Sequence, residues 1–315
     1  YTGGGCPHIL AEPQRTNVFI QNDISTWNGF SSYADETTAP DGTTIDFVNM
    51  EDRRIFPTTT ISNSTEYTSS IYLKGNKTAN VKLRSTAAND TVITLSAEWQ
   101  RFELTATSSS TLTNALLIDA RYGQGMGAAG LEIAIYGGQV EEGSYPTSYI
   151  PTSGSTVTRN QDNFTRDGVG SLINSTEGVL FLEVAALSDD LTNRALSLSD
   201  GTTSNRILIY YSTASNQIIA LYTYSGSTQV SININLSDST EFIKCAFKWK
   251  VNDCALWING IEVGTDTTAT EFSANTINDL GFDSGAGASP FFGKVKQLQV
   301  YDTALTDVQL AALTS

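Results

Sequence analysis

The stretch FIKCAFKWKV (242–251), followed by CALWINGIEVG (254–264), decides the fold. Cys245, Phe247 and Trp249 alternate along the first segment, and Cys254, Leu256 and Ile258 claim one face of the second. A short VND turn joins them and an Asn-Gly pair reverses the chain again, so the reading is of consecutive antiparallel strands. Alternation leaves Trp257 on the opposite face, with Lys248 and Lys250 across the hairpin. Three settings suit it there: under lysine stems, beneath a terminal helix against Leu310, or in a ligand groove as a sugar platform. Packing beneath the helix is the reading adopted.

The same pattern extends in both directions. Before residue 150 the strand candidates are NVFIQN (17–22), TIDFVN (44–49), YTSSIYLKG (67–75), ANVKLRS (79–85), TVITLSA (91–97), QRFELTAT (100–107), NALLIDARYG (114–123) and LEIAIYGGQVE (131–141). After a Pro-, Gly-, Ser- and Thr-rich connection they resume with GVLFLEVAAL (178–187), RALSLSD (194–200), NRILIYYS (205–212), NQIIALYTYSG (216–226), TQVSININL (228–236), TINDLGFD (276–283) and FFGKVKQLQVYD (291–302). LTDVQLAALTS alone reads as a helix: Thr306 and Gln309 form a capping box, and Leu305 and Leu310 have the spacing of a hydrophobic staple. The expected fold class is therefore all-β, with two β-sandwich (jelly-roll) domains in tandem, the second closing with one short C-terminal helix. The expected boundaries are a junction at 1–16, a first domain at 17–150, a linker at 151–168 and a second domain at 169–315.

Composition narrows the function. Of 315 residues 40% are hydrophobic, with 13 Tyr, 13 Phe and 4 Trp, which is enough for two cores. Only 16% are charged and the net charge is −15. Eighteen bases in the whole chain argue against nucleic acid, whose phosphates need clustered Lys and Arg. No apolar run approaches the roughly 20 residues of a membrane span, so no membrane insertion is expected. The start, YTGGGCPHIL, lacks the regions of a signal peptide and reads as a cut from a longer polypeptide. Cys6, Cys245 and Cys254 are too few for a disulfide framework, and the latter two fall on separate rungs of one hairpin. The six Asn-x-Ser/Thr sequons, at Asn63, Asn76, Asn89, Asn163, Asn174 and Asn235, are what chance gives in a chain this rich in those residues.

The second half resembles concanavalin A-like sandwich domains of the laminin-G type, which occur in bacterial surface and phage fibre proteins. The resemblance rests on INSTEGVLFLEVAALS, SLSDGTTSNRILIYYS, FKWKVNDCALWINGIEVGTDT and VYDTALTDVQLAAL. The first half is similar to jelly-roll carbohydrate-binding modules, through YTSSIYLKG, EWQRFELTAT and IYGGQVEEGSYPTSYIPTSGSTVTR, preceded by the junction YTGGGCPHILAEPQRTN. The resemblance implies a lectin-like adhesion fragment, on a virion (capsid or tail fibre) or at the cell surface. Its partners would be a cell-surface or extracellular polysaccharide and other fibre subunits, in a homo-oligomer. It also implies structural calcium (Ca2+) in oxygen-rich loops, with Asp23, Glu141, Asp200 and Asp283 as candidates. A virion component that only meets other subunits is the alternative, and a glycan-degrading enzyme the second.

Enzyme chemistry finds little support in the residues. No strand carries the Glu-x-Asp-x-x-Glu spacing of sandwich glucanases, and the strand acids Glu103, Asp119, Glu132 and Glu183 are isolated. The one histidine, His8, sits in the junction and reads as a packing residue, so a Ser-His-Asp triad fails. Trp27 and Trp99 read as seals of the first jelly roll. For sugar binding the hairpin from Arg206 to Tyr224 stands out. If Ile207 and Ile209 face the core opposite Ile219 and Leu221, then Arg206, Tyr210, Tyr222 and Tyr224 share the other face, where they would suit a glycan.

Overall fold

The computed structural model describes residues 7–31, 33–85, 90–113 and 115–315; Cys6 and the Asn89 sequon lie outside these. The chain divides into two compact units. One is Gln14–Asn160; the other joins the described residues up to Pro13 to Gln161–Ser315.

In Gln14–Asn160, a five-stranded antiparallel sheet runs Gln100–Thr107, Glu66–Gly75, Glu132–Glu142, Thr44–Asn49, Tyr33–Thr38. A four-stranded sheet runs Arg54–Ile55, Leu117–Asp119, Ala79–Arg84, Asp90–Leu95. Ile71, Leu73, Ile133 and Val140 from the first meet Val81, Leu83, Leu95 and Ile118 from the second in one core. Each set occupies alternate strand positions, which is why one face of each sheet is apolar. Trp27 is buried in this core, edge-on to Phe19, and Trp99 donates Nε1–H to Thr38 O at 2.8 Å.

The expected strand at 17–22 is not formed. Strand Arg15–Asn17 ends at Asn17, whose buried amide accepts from Phe19 N and Val140 N and donates to Ile150 O. That side chain takes over the ladder's backbone bonds and turns Phe19 into the core.

The other unit packs two six-stranded sheets face to face. The first runs Ile9–Ala11, Gly293–Tyr301, Glu177–Ala186, Ile243–Lys250, Cys254–Ile258, Ile261–Asp266; the second runs Thr165–Arg166, Asp279–Gly281, Arg194–Ser199, Arg206–Tyr211, Gln217–Tyr224, Ser227–Asn235. Leu180, Leu182, Cys245, Phe247 and Leu256 face Leu196, Leu198, Ile207 and Ile209 across the core. The two cysteines are free, and burial pushes their thiols up, to about 12 for Cys245 and about 11 for Cys254. Asn259 and Gly260 are both left-handed, φ 48° and 83°, as a tight hairpin turn requires.

The segments expected to be junction and linker carry strands instead. Ile9–Ala11 pairs with Gly293–Val295, while Val157–Arg159 pairs with Arg15–Asn17 and Thr165–Arg166 with Leu280–Gly281. The order is thus an insertion, with Gln14–Asn160 lying in sequence between two parts of the other unit, where a tandem pair was expected. Short edge strands of this kind carry too few residues for alternation to show. His8 stacks edge-on against Phe242 at 5.8 Å.

The helix Asp307–Thr314 lies on the outer face of the first six-stranded sheet. Its capping box is made: Gln309 N donates to Thr306 Oγ1 and Thr306 N to Gln309 Oε1. Leu310 seals Val179, Phe181, Ala246, Ala255 and Trp257 beneath it. Trp257 is therefore on the face opposite Leu256, as alternation requires, and 8% exposed. Lys248 flanks it, paired to Asp253 at 2.7 Å and reaching Asp307 in the first helical turn at 3.7 Å.

Candidate functional site

The structure divides the expected tyrosine face. Ile207 pairs with Tyr222, Ile209 with Ala220 and Tyr211 with Ile218, and these six point inward. Arg206, Leu208 and Tyr210 point outward, opposite Thr223, Leu221 and Ile219. Tyr222 is 3% exposed, packs edge-on to Phe272 at 4.4 Å and donates its hydroxyl to Thr270 O at 2.6 Å. Tyr224 leans on the same phenylalanine at 5.9 Å, inward like Tyr222 because it is two residues further along the strand. Tyr222, Tyr224 and Trp257 are thus packing residues. Arg206 and Tyr210 remain together, on the wall of a groove of about 260 Å³ with Leu208, Leu221 and Ser284.

Among the described residues no three acids, histidines or cysteines are placed to share an ion, and each of the four calcium candidates accepts hydrogen bonds from the protein. Glu141 is fully buried in the other unit, its oxygens filled by Gln139 Nε2 at 2.5 Å, Thr147 N at 2.9 Å and Thr147 Oγ1 at 2.5 Å. Donors, which a cation would repel, surround that carboxylate. Asp23 accepts from Ser25 N and Oγ, and these bonds hold its carboxyl below the usual carboxylate range. Asp200 accepts from Thr202 N, Thr202 Oγ1 and Asn205 Nδ2. Burial pushes Asp200 up, but these donors together outweigh it and its pKa is lowered. Asp283 accepts from Gly285 N at 2.6 Å. Asp-x-Thr turns of the Asp200 kind recur at Asp41, Asp190, Asp238 and Asp266, each carboxylate accepting from the N–H and hydroxyl two residues on. These five acids thus serve turns. The sequon at Asn174 is the same turn, with Thr176 N and Oγ1 donating to Asn174 Oδ1.

A second cluster lies on the outer face of the five-stranded sheet. Because Ile71, Leu73, Ile133 and Ile135 point inward, Tyr72 and Tyr136 point outward. The strands place Arg101 opposite Tyr72 and Tyr72 opposite Tyr136, so the three form one row. Tyr149, in the segment that crosses this face after Glu142, completes the group: its ring is 5.4 Å from Tyr136, edge-on, and the Tyr72 and Tyr136 rings are 6.0 Å apart. All three tyrosines are half-buried. Gly137, at φ 63°, lets the rings close up, since a Cβ there would lie 3.2 Å from Tyr72 Cδ2.

Polar groups hold the row. Arg101 lies over the Tyr72 ring at 5.5 Å and donates Nη2 to Ser70 Oγ at 2.9 Å and Thr147 O at 2.6 Å. Lys74, one outward position further along Tyr72's strand, donates to Thr37 Oγ1 at 3.1 Å. Burial and a hydrogen bond to Asp41 push the Tyr136 hydroxyl well above the usual tyrosine range, and burial raises that of Tyr149. Beside Tyr136 and Tyr149 lies a hollow of about 160 Å³, walled also by Ile24, Trp27 and Ile45. Ring faces and edges next to fixed donors and acceptors suit the C–H faces and hydroxyls of a sugar. The sequence reading passed over this site, although alternation in SSIYLKG and LEIAIYGG already turns Tyr72 and Tyr136 outward.

Comparison with known proteins gives matches to part of the chain. Residues 183–311 match the family described as the concanavalin A-like lectin/glucanases superfamily, Laminin_G_3. A search of curated protein sequences returns no match. Among solved structures, the chain is similar to the CBM40 of Ruminococcus gnavus IT-sialidase bound to α2,3 sialyllactose, at 18% identity over 49% of this chain and 93% of that one, TM-score 0.41. It is also similar to the SAP-like pentraxin of Limulus polyphemus, at 14% identity over 45% and 71%, TM-score 0.37. A third similarity is to Xenopus laevis galectin-Ib, at 12% identity over 44% and 99%, TM-score 0.31.

Proposed function

We propose that this chain is a non-catalytic glycan-binding fragment of a fibre or surface protein, displayed on a virion or at a cell surface. The observation that carries the reading is the row Arg101–Tyr72–Tyr136 with Tyr149 beside it, half-exposed aromatic rings held by hydrogen bonds on one sheet face. The lectin-type family match over 183–311 supports it from the other unit.

The strand acids support the non-catalytic part, because each has a structural partner. Glu103 lies 3.8 Å from Arg101 and Glu183 3.1 Å from Lys296, while Asn76 donates to Glu132. Burial pushes Asp119 up, yet its hydrogen bonds and charge pairing with Arg121 hold the carboxyl below the usual range, so it stays ionised. A general acid needs the opposite environment.

The test is a glycan array with calorimetry on the whole chain. Tyr136→Ala should weaken binding of neutral sugars about tenfold or more, the cost of truncating an aromatic contact at a binding hot spot. Unchanged affinity in Tyr136→Ala and Tyr149→Ala would rule this face out. A flat array with discrete oligomers in solution would favour a structural fibre role, and product release from any polysaccharide a catalytic one.

A further inference from the structure

The outer face of the second six-stranded sheet holds an arginine without a counter-charge. Arg206 Nη1 donates to Ser284 O at 2.6 Å, and among the described residues the guanidinium makes no other hydrogen bond and no ion pair. Its Nε is sealed from solvent with no partner. Directly across the rung, the buried Thr223 Oγ1 is also unpartnered. Asp283, next to Ser284 in sequence, accepts from Gly285 N and makes no ion pair with Arg206. Burial lowers the Arg206 pKa and raises that of Tyr210 on the same groove wall.

A half-buried cation without an anion is costly, and in a chain of net charge −15 acids to pair with it were plentiful. Four other arginines have one: Arg84 with Asp90, Arg101 with Glu103, Arg121 with Asp119 and Arg194 with Asp190. The groove offers what a small anionic ring needs: the apolar side chains of Leu208 and Leu221, an aromatic wall in Tyr210, and Nη2 as the guanidinium nitrogen neither committed nor sealed. Salt screens the chain's net negative charge beyond about 8–10 Å, so acids farther away than that hardly oppose an anion in contact with the guanidinium.

The geometry points to this groove as a second sugar site, separate from the tyrosine row, that takes a carboxylate-bearing sugar, its carboxylate on Arg206 and its ring against Tyr210. This rests on the reading of the chain as glycan-binding. The ligand chemistry is shared by uronic and nonulosonic acids, so calorimetry on the whole chain uses oligogalacturonate in one arm and sialyllactose in the other, each beside its carboxyl-reduced form and a neutral oligosaccharide. Binding in either arm that falls about ten- to hundredfold on carboxyl reduction, and equally in Arg206→Gln, supports the site and names the source. Tyr210→Ala, which leaves the arginine in place, should weaken the same arm and leave neutral-sugar binding unchanged. Equal affinity for the reduced form, or for both variants, overturns the proposal. If neither acid binds while neutral sugars do, only this site fails; if nothing binds, the glycan-binding reading fails with it.

Discussion

Glu141→Leu should destabilise the Gln14–Asn160 unit and loosen its sugar site together. The carboxylate is 0% exposed and accepts from Thr147 N, Thr147 Oγ1 and Gln139 Nε2. Leucine fills similar space but accepts nothing, so both Thr147 donors lose their partner, at about 1–3 kcal/mol each. Gln139 Nε2 keeps contacts to Thr147 O at 3.2 Å and Ser148 O at 3.4 Å and loses less. Relief of the buried charge returns part of the cost. The net expectation is a loss of about 3 kcal/mol, or roughly 6–12 °C in the melting temperature of a unit this size. Glu141→Gln keeps one acceptor and should cost about half as much. Tyr149 is two residues beyond Thr147 in the same crossing segment, so neutral-sugar affinity should fall in step with stability. Scanning calorimetry with and without EDTA is the assay. A leucine variant within 1 kcal/mol of wild type would refute the reasoning. So would a wild-type melting temperature that drops as far in EDTA, since Glu141 would then be serving a cation.

Two further outcomes follow from the other unit. Trp257→Ala should cost about 3–5 kcal/mol, because it empties the layer beneath Leu310, and should leave neutral-sugar affinity at the tyrosine row unchanged; a weakened affinity in the folded variant would restore Trp257 as a platform. Asp200 has a folded pKa below its unfolded value, so its contribution is present above the ordinary aspartate range of about 4 and is lost as pH falls through the lowered pKa. Asp200→Asn should therefore flatten the acid limb of a melting-temperature profile between about pH 5 and 2, and an unchanged limb would show that the turn does not carry it.

What the sequence disclosed depended on how far apart the partners lie along the chain. Trp257 was legible because its face is set by immediate neighbours, Leu256 and Ile258, and by a helix whose capping box is written in four consecutive residues, Thr306 to Gln309. The hairpin from Arg206 to Tyr224 was misread by one residue for a different reason. QIIALYTY is apolar on both faces, since Ile219 is buried on the outer side while Ile218 is buried on the inner, so period two marks no preferred face. Register there is set by the turn, where Ser212 N bonds Gln217 O and Asn216 takes the left-handed conformation at φ 51°; choosing the wrong rung sent Tyr222 outward.

The tyrosine row was hidden by distance. Each outward tyrosine could be read from its own strand, but the strand of Tyr72 lies between those of Arg101 and Tyr136, which are not its neighbours in sequence. Nor does a strand pattern show that the segment after Glu142 folds back across the sheet, which depends on the buried Glu141 and Gln139 capturing Thr147 and Ile150. An acid and an amide on the outward face of a strand would ordinarily be read as solvated. Here they fasten the segment that brings Tyr149 to Tyr136, so Glu141, a calcium candidate in the sequence, is the hydrogen-bond anchor of that segment.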